Sequence, residues 1–170
     1  LTHEHHPCQA LADVTTLRER FGRLDGLKLA YVGDGNNMAR SLLIACRLAG
    51  VEFAIATPAE FALPELESAP VDEAVAGAHA IYTDVWVSMG DEDDADRRRE
   101  LLAPYKVDAA LLAKARDDAI ALHCLPAHPG EEISEEVLYG EGSAIWDQAE
   151  NRLHAQKALL ELLFSTVPSP

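Results

Sequence analysis

Short apolar runs alternate along the chain with longer stretches in which apolar residues recur every three or four positions. The short runs predict five strands, at 28–32, 52–56, 80–83, 119–123 and 144–146. The helical spacing is clearest at 9–21, 37–49 and 148–164. Continuous apolar strands that alternate with helices are typical of a parallel sheet with helices on both faces. The pattern therefore predicts a single α/β domain with a doubly wound parallel sheet.

The polar motifs of the chain follow the predicted strands. GDGNN (33–37) follows the first strand, DVWVSMG (84–90) follows the third, and HCLPAH (123–128) begins at the end of the fourth. HPCQ (6–9) stands instead before the first long helix. In a doubly wound, Rossmann-like three-layer sandwich, ligands bind outside the carboxyl ends of the strands. We therefore expect these motifs to form a ligand site.

Composition limits the partners. The chain of 170 residues carries a formal net charge of −15, which provides no basic surface for duplex nucleic acid or for an anionic membrane. Such a charge favours small cationic ligands, or it simply aids solubility. The three cysteines include no CxxC pair, and no apolar run has the length of a membrane span. A disulfide framework is therefore not expected, and a reducing, cytoplasmic location is.

GDGNN resembles the start of a dinucleotide-binding loop, but the rest of that motif is missing. Met38 replaces the third glycine, and the second predicted strand is followed by Thr57 and Pro58 rather than by an acid that could hold a ribose. A nicotinamide cofactor is therefore disfavoured. The amides of Asn36 and Asn37 can instead contact a ligand carboxylate or ammonium, or Asn36 can cap the helix that follows.

The other three motifs contain residues with both a functional and a structural interpretation. Asp84 can bind an ammonium, with Ser88 and the loop beyond it holding the rest of an amino acid, or it can cap a helix. Cys124 can be a nucleophile, a metal ligand or a small buried hydrophobe. His6 and Gln9 together suit a carbamoyl group, although a lone histidine beside a helix start is usually structural.

Charged and metal-ligand patterns also leave alternatives open. Arg152 lies near the start of the last predicted helix, where it faces an anion or pairs with Asp147, Glu150 or Glu161. The acidic run 91–96, followed by three arginines, is a lid, a cation-attracting segment or a solvated helix start. The spacing of His3, His5, His6 and Cys8 matches no zinc module, so no metal site is expected.

Taken together, HPCQ, GDGNNM, DVWVSMG and HCLPAH resemble the motifs of ornithine carbamoyltransferases, in that order, from residue 1 to about 164. SMG after the aspartate separates these enzymes from the aspartate carbamoyltransferases, which share HPxQ. The resemblance implies ornithine contacts from Asn37, Asp84, Ser88 and Met89. It implies carbamoyl phosphate contacts from His6, Pro7, Cys8, Gln9, Cys124, Leu125 and Arg152.

The resemblance also implies a mechanism without a cofactor or metal. The neutral δ-amine of ornithine would attack the carbamoyl carbon and phosphate would leave. Asp84 and Cys124 would orient the amine and help to remove its proton, and His6 would polarise the carbonyl oxygen. Family members are homotrimers of two-domain chains, in which the first domain holds carbamoyl phosphate and the second the amino acid.

The sequence departs from the family pattern at two places. The first domain, with its Ser-Thr-Arg-Thr phosphate loop, is absent; residues 1–9 resemble the end of the hinge after it, and 10–166 the ornithine-binding domain. Pro129 stands where many relatives have arginine, which leaves the contacts of that loop open. We expect the chain alone to be inactive. The alternatives are a carbamoyltransferase for another amine, such as putrescine or an acylated ornithine, and a non-catalytic ligand-binding module.

Overall fold

Four parallel strands form the sheet, and their order across it is β2-β1-β3-β4. The computed structural model describes residues 1–88 and 92–165. The strands are β1 (Lys28–Val32), β2 (Glu52–Ala56), β3 (Ala80–Thr83) and β4 (Ile120–His123). The helices are α1 (Pro7–Phe21), α2 (Asn37–Ala49), α3 (Val71–Val75), α4 (Ala95–Leu102), α5 (Ala109–Leu112), α6 (Glu135–Tyr139) and α7 (Ile145–Ser165). The predicted doubly wound α/β fold is confirmed.

Successive residues of each strand point to opposite faces of the sheet, so the sheet separates two apolar clusters. Leu29 and Tyr31 of β1 pack with Leu42 and other residues of α1 and α2 on one face. Ala30 and Val32 pack on the other face, where residues of α3, α5 and α6 cover the sheet. α7 packs mainly against α1. Because both faces are buried, the strands are apolar throughout rather than alternating.

The predicted fifth strand, 144–146, is wrong. Only Ser143 forms an isolated parallel bridge, to Ala121 of β4, and α7 already begins at Ile145. Two backbone hydrogen bonds extend the sheet there: Ala144 N–H donates to the Ala121 carbonyl, and Ala121 N–H donates to the Gly142 carbonyl. Short apolar runs do not distinguish a strand from the first turn of a buried helix. Asp147 therefore lies inside a helix and does not close a strand.

The glycine-rich turn after β1 has a packing explanation. A Cβ on Gly35 would lie 2.1 Å from the carbonyl oxygen of Phe61, to which the Gly35 N–H donates at 3.0 Å. Gly33 has a φ of 137°, a conformation that side chains rarely adopt. The two glycines thus let the chain turn tightly beneath a neighbouring loop. This turn delivers Asn36 to the start of α2.

The acidic run ends where α4 begins, as the helix-start interpretation predicted. Its arginines are not all solvated, however. Arg98 is buried and forms an ion pair with Asp34, while its Nε donates to the Trp86 carbonyl at 2.7 Å. The guanidinium also lies 4.5 Å above the ring of Phe61. α4 is thereby fixed against the loops that follow β1 and β3.

Within the part of the chain that the structure describes, no helix combines the length and apolar character needed to cross a bilayer. The long helix α7 has several large apolar residues on its exposed surface: Leu153, Leu160, Leu162, Leu163 and Phe164.

Candidate functional site at the carboxyl end of the sheet

Asp84 and Cys124 meet at the carboxyl ends of the two neighbouring strands β3 and β4. The Cys124 thiol donates to Asp84 Oδ1 at 2.9 Å. The other carboxylate oxygen, Oδ2, accepts from Asn36 Nδ2 at 2.8 Å, and Val85 N–H donates to Oδ1 at 2.8 Å. Three motifs that are far apart in sequence thus converge on one carboxylate. It is positioned to receive a cationic or amine group that approaches from the sheet edge.

The thiol of Cys124 is neutral at physiological pH. Burial raises its pKa well above the ordinary value, and the adjacent Asp84 raises it further. A thiol in this state is a hydrogen-bond donor and a weak nucleophile. Cys124 is half-buried and also packs against the apolar cluster of α1 and α2. Cys124 therefore lies beside Asp84, as predicted, and also packs in part as a small buried hydrophobe, which was the alternative interpretation.

HPCQ lies partly inside α1, because that helix begins at Pro7 rather than at the predicted residue 9. The backbone N–H of His6 donates to Ser41 Oγ at 2.7 Å, which anchors the segment to α2. The Nδ1 atom of His6 is buried without a hydrogen-bond partner. Burial lowers the pKa of the imidazole, and Arg152 lowers it further. A neutral imidazole here can donate one N–H to a carbonyl oxygen.

Gln9 and Arg152, which are both predicted to contact carbamoyl phosphate, are in direct contact with each other. Arg152 Nη1 donates to Gln9 Oε1 at 2.7 Å, and Arg152 Nε donates to Gln156 Oε1 at 3.0 Å. Among the described residues, the guanidinium contacts these two amide oxygens and no carboxylate. The predicted alternative, an ion pair with an acid of α7, is therefore wrong. A cation without a carboxylate partner keeps its charge available for an anion.

The segment after Cys124 is held by a buried histidine and glutamate. Leu125 has a φ of 57°, and its N–H donates to His123 Nδ1 at 2.9 Å. His123 Nε2 lies 3.3 Å from Glu132 Oε1, and both side chains are fully buried. Glu132 also accepts from the backbone N–H of His128. Glu132 was not predicted from the sequence, where its signal was an acid four residues after His128.

The two asparagines of GDGNN have different surroundings. Asn36 caps α2, since its Oδ1 accepts from Met38 N and Ala39 N, and it also contacts Asp84. The Asn37 amide donates to the exposed Thr2 carbonyl at 2.6 Å. Asn37 was predicted as the ornithine contact, whereas the structure places the Asn36 amide against Asp84.

The structure describes three of the remaining residues that were predicted to contact a substrate. Ser88 is half-buried in the loop after β3, Pro7 is exposed, and Cys8 is half-buried in the first turn of α1. Met89 lies outside the described residues.

Asp84, His123 and Cys124 also have potential metal-ligand atoms within 4.8 Å of one another. Those atoms already have partners in the chain, however. His123 Nδ1 accepts from Leu125 N–H, and Asp84 receives three donors. Both ring nitrogens of His123 face protein groups, because Nε2 faces Glu132. The arrangement suits proton donation and ligand positioning better than a tetrahedral metal centre.

A family model described as the Asp/Orn-binding domain of aspartate/ornithine carbamoyltransferase matches residues 25–163. The chain belongs to this carbamoyltransferase family. Ornithine carbamoyltransferase of Gloeobacter violaceus is 52% identical, and the match covers 96% of this chain and 58% of the relative. That of Methanoculleus marisnigri is 51% identical over 94% of this chain and 56% of the relative. The family resemblance seen in the motifs is confirmed.

Solved structures of the family confirm the fold. The ornithine carbamoyltransferase of Gloeobacter violaceus superposes with a TM-score of 0.86 at 50% identity, over 94% of this chain and 59% of that one. That of Pyrococcus furiosus superposes with a TM-score of 0.91 at 42% identity, over 97% and 58%. The chain thus spans under three fifths of the length of these family members.

Proposed function

We propose that this chain is the ornithine-binding part of an ornithine carbamoyltransferase, which converts carbamoyl phosphate and L-ornithine to L-citrulline and phosphate. The observation that carries the proposal is the convergence on Asp84. A thiol from HCLPAH and an amide from GDGNN meet the carboxylate of DVWVSMG at one sheet edge. The match to the Asp/Orn-binding domain family and the similarity to ornithine carbamoyltransferases support the same reaction.

The first step is the binding and deprotonation of the amine. Asp84 attracts the δ-ammonium of ornithine, with Asn37, Ser88 and Met89 proposed to hold the other end of the substrate. The amine must lose one proton before it attacks. The Asp84 carboxylate can accept that proton, while the Cys124 thiol, which is neutral, orients the pair by hydrogen bonding. Cys124 thus acts as a donor beside the general base.

The second step is attack of the amine on the carbamoyl carbon, followed by cleavage of the bond from carbon to the phosphate oxygen. The His6 imidazole can donate to the carbonyl oxygen as negative charge develops on it. Arg152 offers a cation to the departing phosphate, with Gln9, Pro7, Cys8 and Leu125 proposed to line the same end. A phosphate dianion needs several cations or amides, and this chain contributes few. We therefore propose that a preceding domain supplies the others.

The test uses a joined protein, in which the part of the Gloeobacter violaceus relative that precedes the match is fused to Leu1. The joined protein should form citrulline from carbamoyl phosphate and ornithine, and the 170-residue chain alone should not. Ornithine should also move the backbone amide NMR signals of residues 84–88 in either protein, whereas putrescine should not. A joined protein that folds but neither binds ornithine nor forms citrulline would refute the function. Sedimentation of the same protein tests the proposed homotrimer; a cytoplasmic location stays a prediction.

A further inference from the structure

Asp13 lies on the buried face of α1 and has a relative exposure of 0%. It belongs to none of the four motifs. Its Oδ1 atom accepts two hydrogen bonds, from Gln9 Nε2 at 2.8 Å and from Gln148 Nε2 at 2.7 Å. Gln9 lies one helical turn earlier on α1, while Gln148 is on α7. A single carboxylate oxygen therefore joins two glutamines from different helices.

These two bonds determine which way each amide points, because an amide has a donor end and an acceptor end. The NH2 group of Gln9 faces Asp13, so its oxygen faces Arg152 Nη1 at 2.7 Å. The NH2 group of Gln148 also faces Asp13, so its oxygen accepts from the backbone N–H of His123 at 2.9 Å. Rotating the Gln148 amide by half a turn would place its oxygen against a carboxylate and its NH2 against an N–H.

The far ends of the two amides reach both sides of the proposed carbamoyl phosphate site. Gln9 meets Arg152, the cation proposed to face the phosphate. Gln148 meets His123, whose chain neighbour is Cys124. Because Gln148 and Arg152 are four residues apart, they share one face of α7.

We propose that Asp13 is a positioning residue, which orients the Arg152 guanidinium through Gln9 and the backbone before Cys124 through Gln148. The inference rests on the proposed function for its kinetic part only. Asp13 itself does not touch a substrate. Its role is to keep the donor and acceptor ends of two amides in the order that the site requires.

The charge of Asp13 is sensitive to pH near neutrality. Burial raises its pKa to about 7, against the opposing effect of the Gln148 and Gln9 amides, the Tyr82 hydroxyl and Arg152. The other titratable groups that face it are Tyr82 from β3, Cys46 from α2 and Cys124 after β4. Burial raises the pKa of each of these three groups, that of Cys46 to about 12. Of these four groups, Asp13 is thus the one whose charge changes near pH 7.

The first test needs only the 170-residue chain. The side-chain amide NMR signals of Gln9 and Gln148 should titrate together with the Asp13 carboxyl carbon, with one shared midpoint near pH 7. In Asp13→Asn, the side-chain amide signals of Gln9 and Gln148 should keep their low-pH chemical shifts at every pH. Thr16→Val is the matched control, because it removes a buried acceptor for Asn151 one turn further along α1. It should leave the titration intact. Amide signals that do not respond to pH in the wild type would overturn the proposal.

The second test uses the joined protein. Asp13→Leu should raise the half-saturating concentration of carbamoyl phosphate about tenfold, which corresponds to the loss of one oriented hydrogen bond. The value for ornithine should change far less. In Asp13→Asn, the half-saturating concentration of carbamoyl phosphate should match that of the wild type below pH 7 and should lack the wild type's pH dependence above pH 7. Thr16→Val should alter thermal stability alone.

The two tests separate the two proposals. If the wild-type joined protein forms no citrulline, the proposed function fails while the amide titration still decides the role of Asp13. If it is active but Asp13→Leu weakens both substrates equally, or lowers stability alone, Asp13 is only structural.

Discussion

Asp84 and Asp13 are two buried carboxyl groups with similar numbers of hydrogen-bond donors and opposite surroundings. Asp84 stands at the end of β3 and accepts from an amide, a backbone N–H and a thiol. Asp13 stands on the inner face of α1 and accepts from two glutamine amides. The first can meet a ligand at the sheet edge; the second is enclosed, and its Oδ2 has no hydrogen-bond partner. Position in the fold, rather than residue type or burial, distinguishes the carboxylate that we propose to bind ornithine from the one that we propose to position other groups.

The largest expected effect is on stability at Asp13. Its pKa in the folded chain, about 7, lies above the ordinary value of 3.8, so the folded state holds the proton more tightly than the unfolded state. The stabilisation that the proton provides is complete below about pH 4 and is lost as the pH rises through about 7. The loss is about 4 kcal/mol, since one pKa unit corresponds to about 1.4 kcal/mol.

Urea unfolding between about pH 4 and pH 8 measures this loss. The asparagine side chain in Asp13→Asn does not titrate. As the pH rises, the free energy of unfolding of this variant should therefore increase relative to that of the wild type. The free energy of unfolding of Thr16→Val should show the same pH dependence as that of the wild type. A constant difference between Asp13→Asn and the wild type across this range would contradict the assignment of the titration to Asp13.

The next effect is on ornithine binding. In the joined protein, Asp84→Asn removes the charge that the δ-ammonium would meet. A charge-assisted hydrogen bond of this kind contributes roughly 1.5–3 kcal/mol, so the half-saturating ornithine concentration should rise about 10- to 150-fold. That for carbamoyl phosphate should change little. Asp117→Asn, at an exposed carboxylate, is the control. An unchanged ornithine constant in steady-state kinetics would remove Asp84 from the site.

A smaller effect concerns the thiols. Brief iodoacetamide treatment followed by mass spectrometry should label half-buried Cys124 faster than fully buried Cys46. Since Asp84 raises the pKa of Cys124, Asp84→Asn should accelerate its labelling, roughly tenfold for each pKa unit lowered. Cys46 should not respond. Ornithine bound to the joined protein should protect Cys124. Equal rates for the two thiols, without protection, would make Cys124 a core residue only.

The smallest effect separates the two asparagines. Asn36→Ala should lower the free energy of unfolding by about 1 kcal/mol, because the first turn of α2 loses its cap. Asn37→Ala should cost less, since its amide reaches only the exposed Thr2 carbonyl. Its effect should appear instead in ornithine kinetics if Asn37 contacts the substrate as predicted. Thermal unfolding and kinetics of both variants decide which asparagine serves which role.

The sequence by itself determined the four strands of the sheet, their parallel arrangement and the edge at which the motifs gather. Apolar runs of about five residues cannot be placed at a surface, and parallel strands bring all their carboxyl ends to one side. That is sufficient to predict Asp84 and Cys124 as members of one site. The ordered set of motifs also identified the family, which no single motif did.

Only the tertiary structure decided which polar groups touch. Asp13 and Gln148 are 135 positions apart, and their contact depends on how α1 packs against α7. The same holds for the ion pair of Asp34 with Arg98 and for the choice of Asn36 over Asn37 at Asp84. Helical and strand periodicity fixes which face a side chain occupies, but not its partner across an interface, because that depends on the angle and register of packed elements. The predicted strand at 144–146 is wrong for a related reason: an apolar segment of three residues is equally buried as the start of a helix, and packing selected the helix.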